Sequence, residues 1–348
     1  MNQTAPGPRP TLGLHVDLNR PIADTVQRAR LAERAGAGSV HVIEGMRDPF
    51  VPLTAIAAAT TSVALGTYVA NAYARTPQAA ANAALVIDEL SGGRMTLGLG
   101  AGNWHVNEWF FGTDSHRPMA KLRDYLAVVE AMVTGDTGGA TEVGGAEHHV
   151  QSRFVRTPPR RVPVVLAAAG PRMTELAAAA TDGVALGLLI SPEHLAAEIA
   201  PRARRAAEQA GRDPGAVRFP MAAAVTAHPD AERARYLTRR GICALFHPVP
   251  HPYYEHLLRA QGDGRVVDAL CELAPQRRWA EAMGAIDDEL LDRLTICGTP
   301  EQCAARLADY AGLADEIICL NLGVAAGSAD DEAVWAGQLR LFELCRST

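Results

Sequence analysis

Lysine is almost missing from this chain: of 33 basic residues, only Lys121 is a lysine. It lies in Met119-Ala120-Lys121-Leu122-Arg123, which reads as helix, so lysine-dependent chemistry and a lysine-bearing phosphate loop are disfavoured. The six cysteines, at 243, 271, 297, 303, 319 and 345, form no C-x-x-C pair. A disulfide framework needs many cysteines in a short secreted chain, and this chain is neither, so they read as buried thiols. No run of about 18 apolar residues occurs, which excludes a membrane-spanning helix. The opening MNQTAPGPRP is polar and proline-rich, unlike a signal peptide. A basic field is missing too: 33 basic against 39 acidic residues give −6, which disfavours nucleic acid. These absences predict a soluble cytoplasmic protein with no membrane or nucleic-acid partner.

Apolar residues make up 48% of the 348, enough for a large core. Short apolar runs alternate with helical patterns along the chain. Thr11–Val16, Ser39–Glu44, Val63–Val69, Met95–Leu99, Val162–Ala167, Gly183–Leu186, Phe219–Val225 and Glu316–Leu320 read as eight strands. Helices are predicted between them; Pro21 suits the first position of one, and Thr76-Pro77 opens another. Eight buried strands, each followed by a helix, and no G-x-G-x-x-G turn after the first, predict an α/β fold: a single (β/α)8 TIM barrel spanning 1–348. Two spacings exceed the simple unit. Segments 103–161, with a hairpin pattern at Thr141–Val155, and 241–295 are expected as insertions after strands four and seven. In such a barrel the chemistry belongs at the carboxyl ends of the strands.

Ser91-Gly92-Gly93-Arg94-Met95-Thr96-Leu97-Gly98-Leu99-Gly100 resembles a signature of the bacterial-luciferase-like superfamily. Thr67–Pro77, Ala169-Gly170-Pro171-Arg172-Met173, Ala180–Val184 and Cys297–Gln302 resemble further pieces of it, in the required order. Within that superfamily the chain looks most like coenzyme F420-dependent oxidoreductases related to methylenetetrahydromethanopterin reductase. The resemblance implies a homodimeric enzyme that binds F420 at the barrel mouth and passes a hydride to or from a small organic substrate. It also implies an irregular third strand, with a non-prolyl cis peptide, around Val69–Asn71. The alternatives are a reduced-FMN-dependent monooxygenase on the same fold and a flavin-binding barrel without turnover.

Gly100-Ala101-Gly102-Asn103 carries little side chain, so its backbone can approach a flat heteroaromatic ring. Asn71 could bond the ring or simply cap its own backbone. Ala169, Gly170, Arg172 and Met173 open a helix, whose free N–H groups make an anion site for the cofactor phosphate. Arg47, Arg75, Arg156 and Arg172 could line a path for an acidic tail. Glu44 ends the second strand, where the family usually shows an acid followed by His; Gly45 stands in the second place here. Asn103 likewise stands where a Glu or His is common. Proton donors are therefore sought in Glu44, His15, His105 and Glu108. His148-His149 alternates in a hairpin, and prolines separate His247 from His251, so no metal is expected.

Overall fold

The computed structural model describes residues 7–16, 19–45, 47–168 and 170–346. Local signals act much as the sequence predicts. Thr76 Oγ1 accepts the Ala79 N–H at 3.3 Å and opens the helix Pro77–Ser91, which Gly92 ends at φ 68°. Pro21 departs slightly from expectation: it is extended and caps the helix Ile22–Ala35 from outside rather than starting it. Thr299 and Gln302 form a reciprocal capping box on the helix Pro300–Arg306.

The strands in chain order are β1 Thr11–Val16, β2 Ser39–Val42, β3 Ala64–Thr67, β4 Ala70–Asn71, β5 Met95–Gly100 and β6 Glu142–Gly144. There follow β7 His149–Gln151, β8 Val164–Ala167, β9 Gly183–Ala185, β10 Pro220–Ala227, β11 Ile296–Gly298 and β12 Glu316–Leu320. Parallel pairing runs β10, β12, β1, β2, β3, β5, β8, β9. Two isolated parallel bridges, Gly183 to Arg218 and Leu186 to Met221, bring the far end back towards β10. The sheet is therefore curled, with helices on its outer face. Between β5 and β8 lie the helix Pro118–Thr134 and the antiparallel hairpin β6–β7. Between β10 and β12 lie five helices from Ala231 to Leu294, and β11, which pairs with the end of β10. Among the described residues no helix is long and apolar enough to cross a membrane.

The predicted third strand is two. Gly66 pairs with Thr96 but Ala70 pairs with Leu99, so three residues of one strand face two of the other. This is a bulge. Within it the peptide bond Tyr68–Val69 is cis. The Thr67 hydroxyl replaces the missing ladder: it donates to Gly98 O at 2.7 Å and accepts the Gly98 N–H at 3.0 Å. Thr67→Val keeps the shape and strands both Gly98 groups in a buried place. At ~1–3 kcal/mol for each unsatisfied group, the variant is expected to lose roughly 2–4 kcal/mol. A urea midpoint matching the wild type would show that the hydroxyl is not the bridge.

Inside the curl, Glu316 accepts hydrogen bonds from Ser39 Oγ and from His41 Nε2, the latter at 2.9 Å. Burial pushes the Glu316 pKa up, but His41 and Ser39 outweigh it and hold the carboxyl below its ordinary value. Tyr68 packs edge-on to His41 and donates through its hydroxyl to Leu186 O at 2.7 Å. That bond ties the bulge to the far side of the mouth.

Candidate active site

The carboxyl ends of β4 and β5 meet with almost no side chain between them. A Cβ at Gly98 would collide with the Thr67 carbonyl, and one at Gly100 would lie 2.7 Å from Val69 Cγ2 and 3.3 Å from Ala167 Cβ. Gly102, at φ 66°, leaves room for the Asn71 amide. Asn71 is buried and fully engaged: Oδ1 accepts the Tyr73 N–H at 2.9 Å, and Nδ2 donates to Asn107 Oδ1 at 2.7 Å. Asn107 in turn donates to Ala101 O at 2.8 Å. Asn71 thus does both things open to it, capping its own backbone and joining the loop after β5. Asn107 is a site residue that sequence reasoning missed.

The four proton-donor candidates do not come together. Glu44 accepts the Asn71 N–H at 2.5 Å and both Nη groups of Arg75, at 2.5 and 2.6 Å. Its side chain is only 2% exposed. Arg75 also reaches Asp48 at 3.0 Å. Burial disfavours the Arg75 charge, and the Glu44 carboxylate more than restores it. His15 lines a separate depression with Arg20, Arg28, Asn321 and Asp331, where β1 and β12 end. Glu108 is exposed on the π-helical turn Val106–Phe110.

His105 lies behind the mouth, between Asn103 and Trp104, which line its cavity. It is buried under Trp104, stacked on it with centroids 3.5 Å apart, and meets Trp109 edge-on at 4.6 Å. Asn103 Oδ1 accepts the His105 backbone N–H at 3.0 Å and lies 2.9 Å from Nδ1. The backbone donor identifies that atom as the amide oxygen, so Nδ1 carries a proton towards it. Nε2 is left buried without a hydrogen-bond partner. Asn103, Trp104, Asn107 and Gly102 line an open cavity of about 210 Å³ bordered also by His251 and Pro252. His251 belongs to the 247–254 segment, considered above only for metal. Its Nδ1 accepts the Tyr253 N–H at 3.2 Å, while burial and the neighbouring His105 lower its pKa.

At β8 and β9 a second cavity of about 210 Å³ is bordered by Ala168, Gly170, Thr174, Leu186, His194, Tyr253 and His256. Gly170 caps the helix Pro171–Ala180 with extended backbone and no side-chain cap, so the first-turn N–H groups remain available to an anion. Arg172 does not face this cavity. It is exposed and lines an outer groove with Arg123 and Glu175. Met173 is half-buried against the core, and Ala169 lies outside the described residues. Among the described residues no group of three His, Cys, Asp or Glu is placed to hold a metal.

The family model described as luciferase-like monooxygenase matches residues 3–316. A Mycobacterium tuberculosis protein named as a coenzyme F420-dependent oxidoreductase is 30% identical over 337 residues, 88% of this chain and 92% of that protein. The 5,10-methylenetetrahydromethanopterin reductase of Methanolobus tindarius is 29% identical over 306 residues, covering 85% of this chain and 89% of the reductase. Among solved structures, the F420-dependent tetrahydromethanopterin reductase of Methanopyrus kandleri superposes with a TM-score of 0.76 at 18% identity, over 97% of both chains. That likeness covers the curled sheet and its helical flanks alike. The chain belongs to the luciferase-like monooxygenase family of oxidoreductases.

Proposed function

We propose that this protein is a coenzyme F420-dependent oxidoreductase, which moves a hydride between the deazaflavin and a small organic substrate held against its ring. One observation carries the reading: a relative named as a coenzyme F420-dependent oxidoreductase is 30% identical over 88% of this chain. At the site, Gly98, Gly100 and Gly102 pack directly on Thr67, Val69 and Asn71, which draws the backbone after β5 to the mouth. The residues present fit the group. The backbone of Gly100–Gly102 would meet the ring edge, and the first turn after Gly170 would hold the phosphate by its N–H groups. When bound, the deazaflavin supplies a two-electron hydride carrier. His105 holds a proton at Nδ1 towards Asn103, and a shift of Trp104 that uncovers its buried Nε2 would bring it to the substrate. Glu44 positions the bulge through the Asn71 N–H and binds Arg75.

The family's monooxygenase description favours a second reading, with reduced FMN as the cofactor. The expected acidic-tail path is thinner than the sequence suggests. Arg75 is taken by Glu44 and Asp48, Arg47 donates to Arg20 O, and Arg156 donates to Arg153 O. The choice of F420 therefore rests on the two relatives.

Gly170→Asp tests the anion anchor. A Cβ there meets only His256 Nε2, at 3.9 Å, so the new carboxylate fits without strain and opposes a phosphate by charge. F420 is expected to bind the wild type and to lose at least about tenfold in affinity in the variant, or ~1.4 kcal/mol. Arg172→Ala is expected to change little. Equal F420 affinity in Gly170→Asp would remove the anchor from Gly170. Tight FMN binding with oxygen-dependent turnover, and no F420 binding, would move the assignment to the monooxygenase.

A homodimer belongs to the same proposal. The helix Phe50–Ala59 carries no charged residue and leaves Val51 70% exposed. It packs beside Pro77–Ser91, whose Val86 is 61% and Leu90 50% exposed. A second copy would bury these exposed apolar side chains isologously, with Glu89 beside them. The double variant Val51→Glu, Val86→Glu is expected to sediment as a monomer; a dimer of unchanged strength would place the interface elsewhere.

A further inference from the structure

We infer that Tyr253 is the gate of one continuous ligand groove, which its phenol divides. The inference concerns this chain's own closure; only the identity of the occupant rests on the reading above. The two cavities at the mouth lie on either side of a single turn. Tyr253 borders the one at Gly170, Ala168 and Leu186, while His251 and Pro252 border the one at Gly102–Trp104. Each holds about 210 Å³. Sites for ligands of drug or cofactor size run to ~300–1,000 Å³, so each half alone is smaller than such a site. Joined, with the phenol withdrawn, they enter that range.

The phenol is accommodated by one glycine. A Cβ at Gly187 would collide with Tyr253 Oη, and that oxygen is buried. From below, Tyr68 holds the same Leu186–Gly187 turn through its bond to Leu186 O. Tyr253 therefore lies over the strand ends rather than on the outside of the sheet.

The hinge of this gate is the carboxyl end of the helix Pro252–Ala260. Just past its last turn, Gln261 Oε1 accepts the Ser191 N–H at 2.9 Å and Nε2 donates to Leu189 O at 2.8 Å. The first turn has the His251 cap at 3.2 Å, ring contacts among His251, Tyr253 and Tyr254, and both tyrosines packed against the core. A rotation of that turn about the Gln261 anchor withdraws the phenol and leaves the helix docked. A ligand that binds only the open form has its affinity reduced by the fraction of molecules that are open.

The test uses the full chain with two probes, F420 and FMN, and the variants Tyr253→Ala, Tyr253→Phe and Gly187→Ala. Stopped-flow association of the bound cofactor is expected to be at least about tenfold faster in Tyr253→Ala, as for a closed form exceeding nine molecules in ten. Tyr253→Phe, which keeps the plug, is expected to match the wild type. Without any cofactor, Gly187→Ala should expel the phenol and raise amide hydrogen exchange across 252–256 above the wild type. Equal association in Tyr253→Ala and wild type, or unchanged exchange in Gly187→Ala, overturns the gate. Raised exchange in Gly187→Ala with no binding of either cofactor by any variant supports the gate and overturns the cofactor reading.

Discussion

Replacing His105 with glutamine is expected to lower turnover by roughly 10²–10⁴-fold while leaving cofactor affinity within about twofold, as for loss of a positioned proton carrier. Glutamine approximates the length of the imidazole and can still bond Asn103, but it cannot exchange a proton near neutral pH. The other candidates are unable to substitute. Glu44 is held by Arg75 and the Asn71 N–H, Glu108 is exposed, and His15 lies in another depression. The Asn103 contact adds a second arm. Asn103→Leu removes the acceptor that fixes the Nδ1 proton, so turnover should fall again, by less than in His105→Gln, while the stacking on Trp104 persists. Single-turnover rates would separate chemistry from product release. Full turnover in His105→Gln would return the histidine to a packing role under Trp104.

How far the site could be read from the sequence depended on what set each side chain's direction. Strand and helix spans follow local rules, so β1 and β12 fall where apolar runs and turn residues predict them. The bulge does not, and only the family resemblance pointed to it, because it is made by the Thr67 hydroxyl reaching Gly98, a contact across 31 residues that no periodicity records. Glu44 was legible as an acid at a strand end, but its pairing with Arg75 was not, since that required knowing how the chain turns between 44 and 75. The loop after β5 gives a clearer case. Its π-helical turn buries Asn107 and exposes Glu108, the reverse of the expected choice. Arg172 misleads in the same way: it sits two residues past Gly170, yet the helix turns it to the outer groove. Tyr253 carried one usable signal, the density of His, Pro and Tyr at 247–254, which marks an ordered turn rather than a solvated loop.

Breaking the Glu44–Arg75 pair is expected to cost stability first and activity second. The Glu44 side chain is 2% exposed and that of Arg75 14%, so neither charge can recover its hydration if the other is removed. Losing one partner of a buried pair typically costs ~3–5 kcal/mol, because the survivor is left uncompensated. Glu44→Gln keeps one oxygen for the Asn71 N–H, and Arg75 retains Asp48, so the low end, about 3 kcal/mol, is expected here. Arg75→Met should cost a similar amount, since it leaves the carboxylate facing only the Asn71 N–H. The double variant should then cost about 2 kcal/mol less than the two single losses together, which is the signature of direct coupling. Urea denaturation of the four proteins measures this directly. If Glu44 instead serves as the proton donor, Glu44→Gln would lose turnover at nearly unchanged stability, and the cycle would close with no coupling. The geometry favours the first outcome: a carboxylate that meets both guanidinium nitrogens and a backbone N–H within 2.6 Å has little capacity left for substrate.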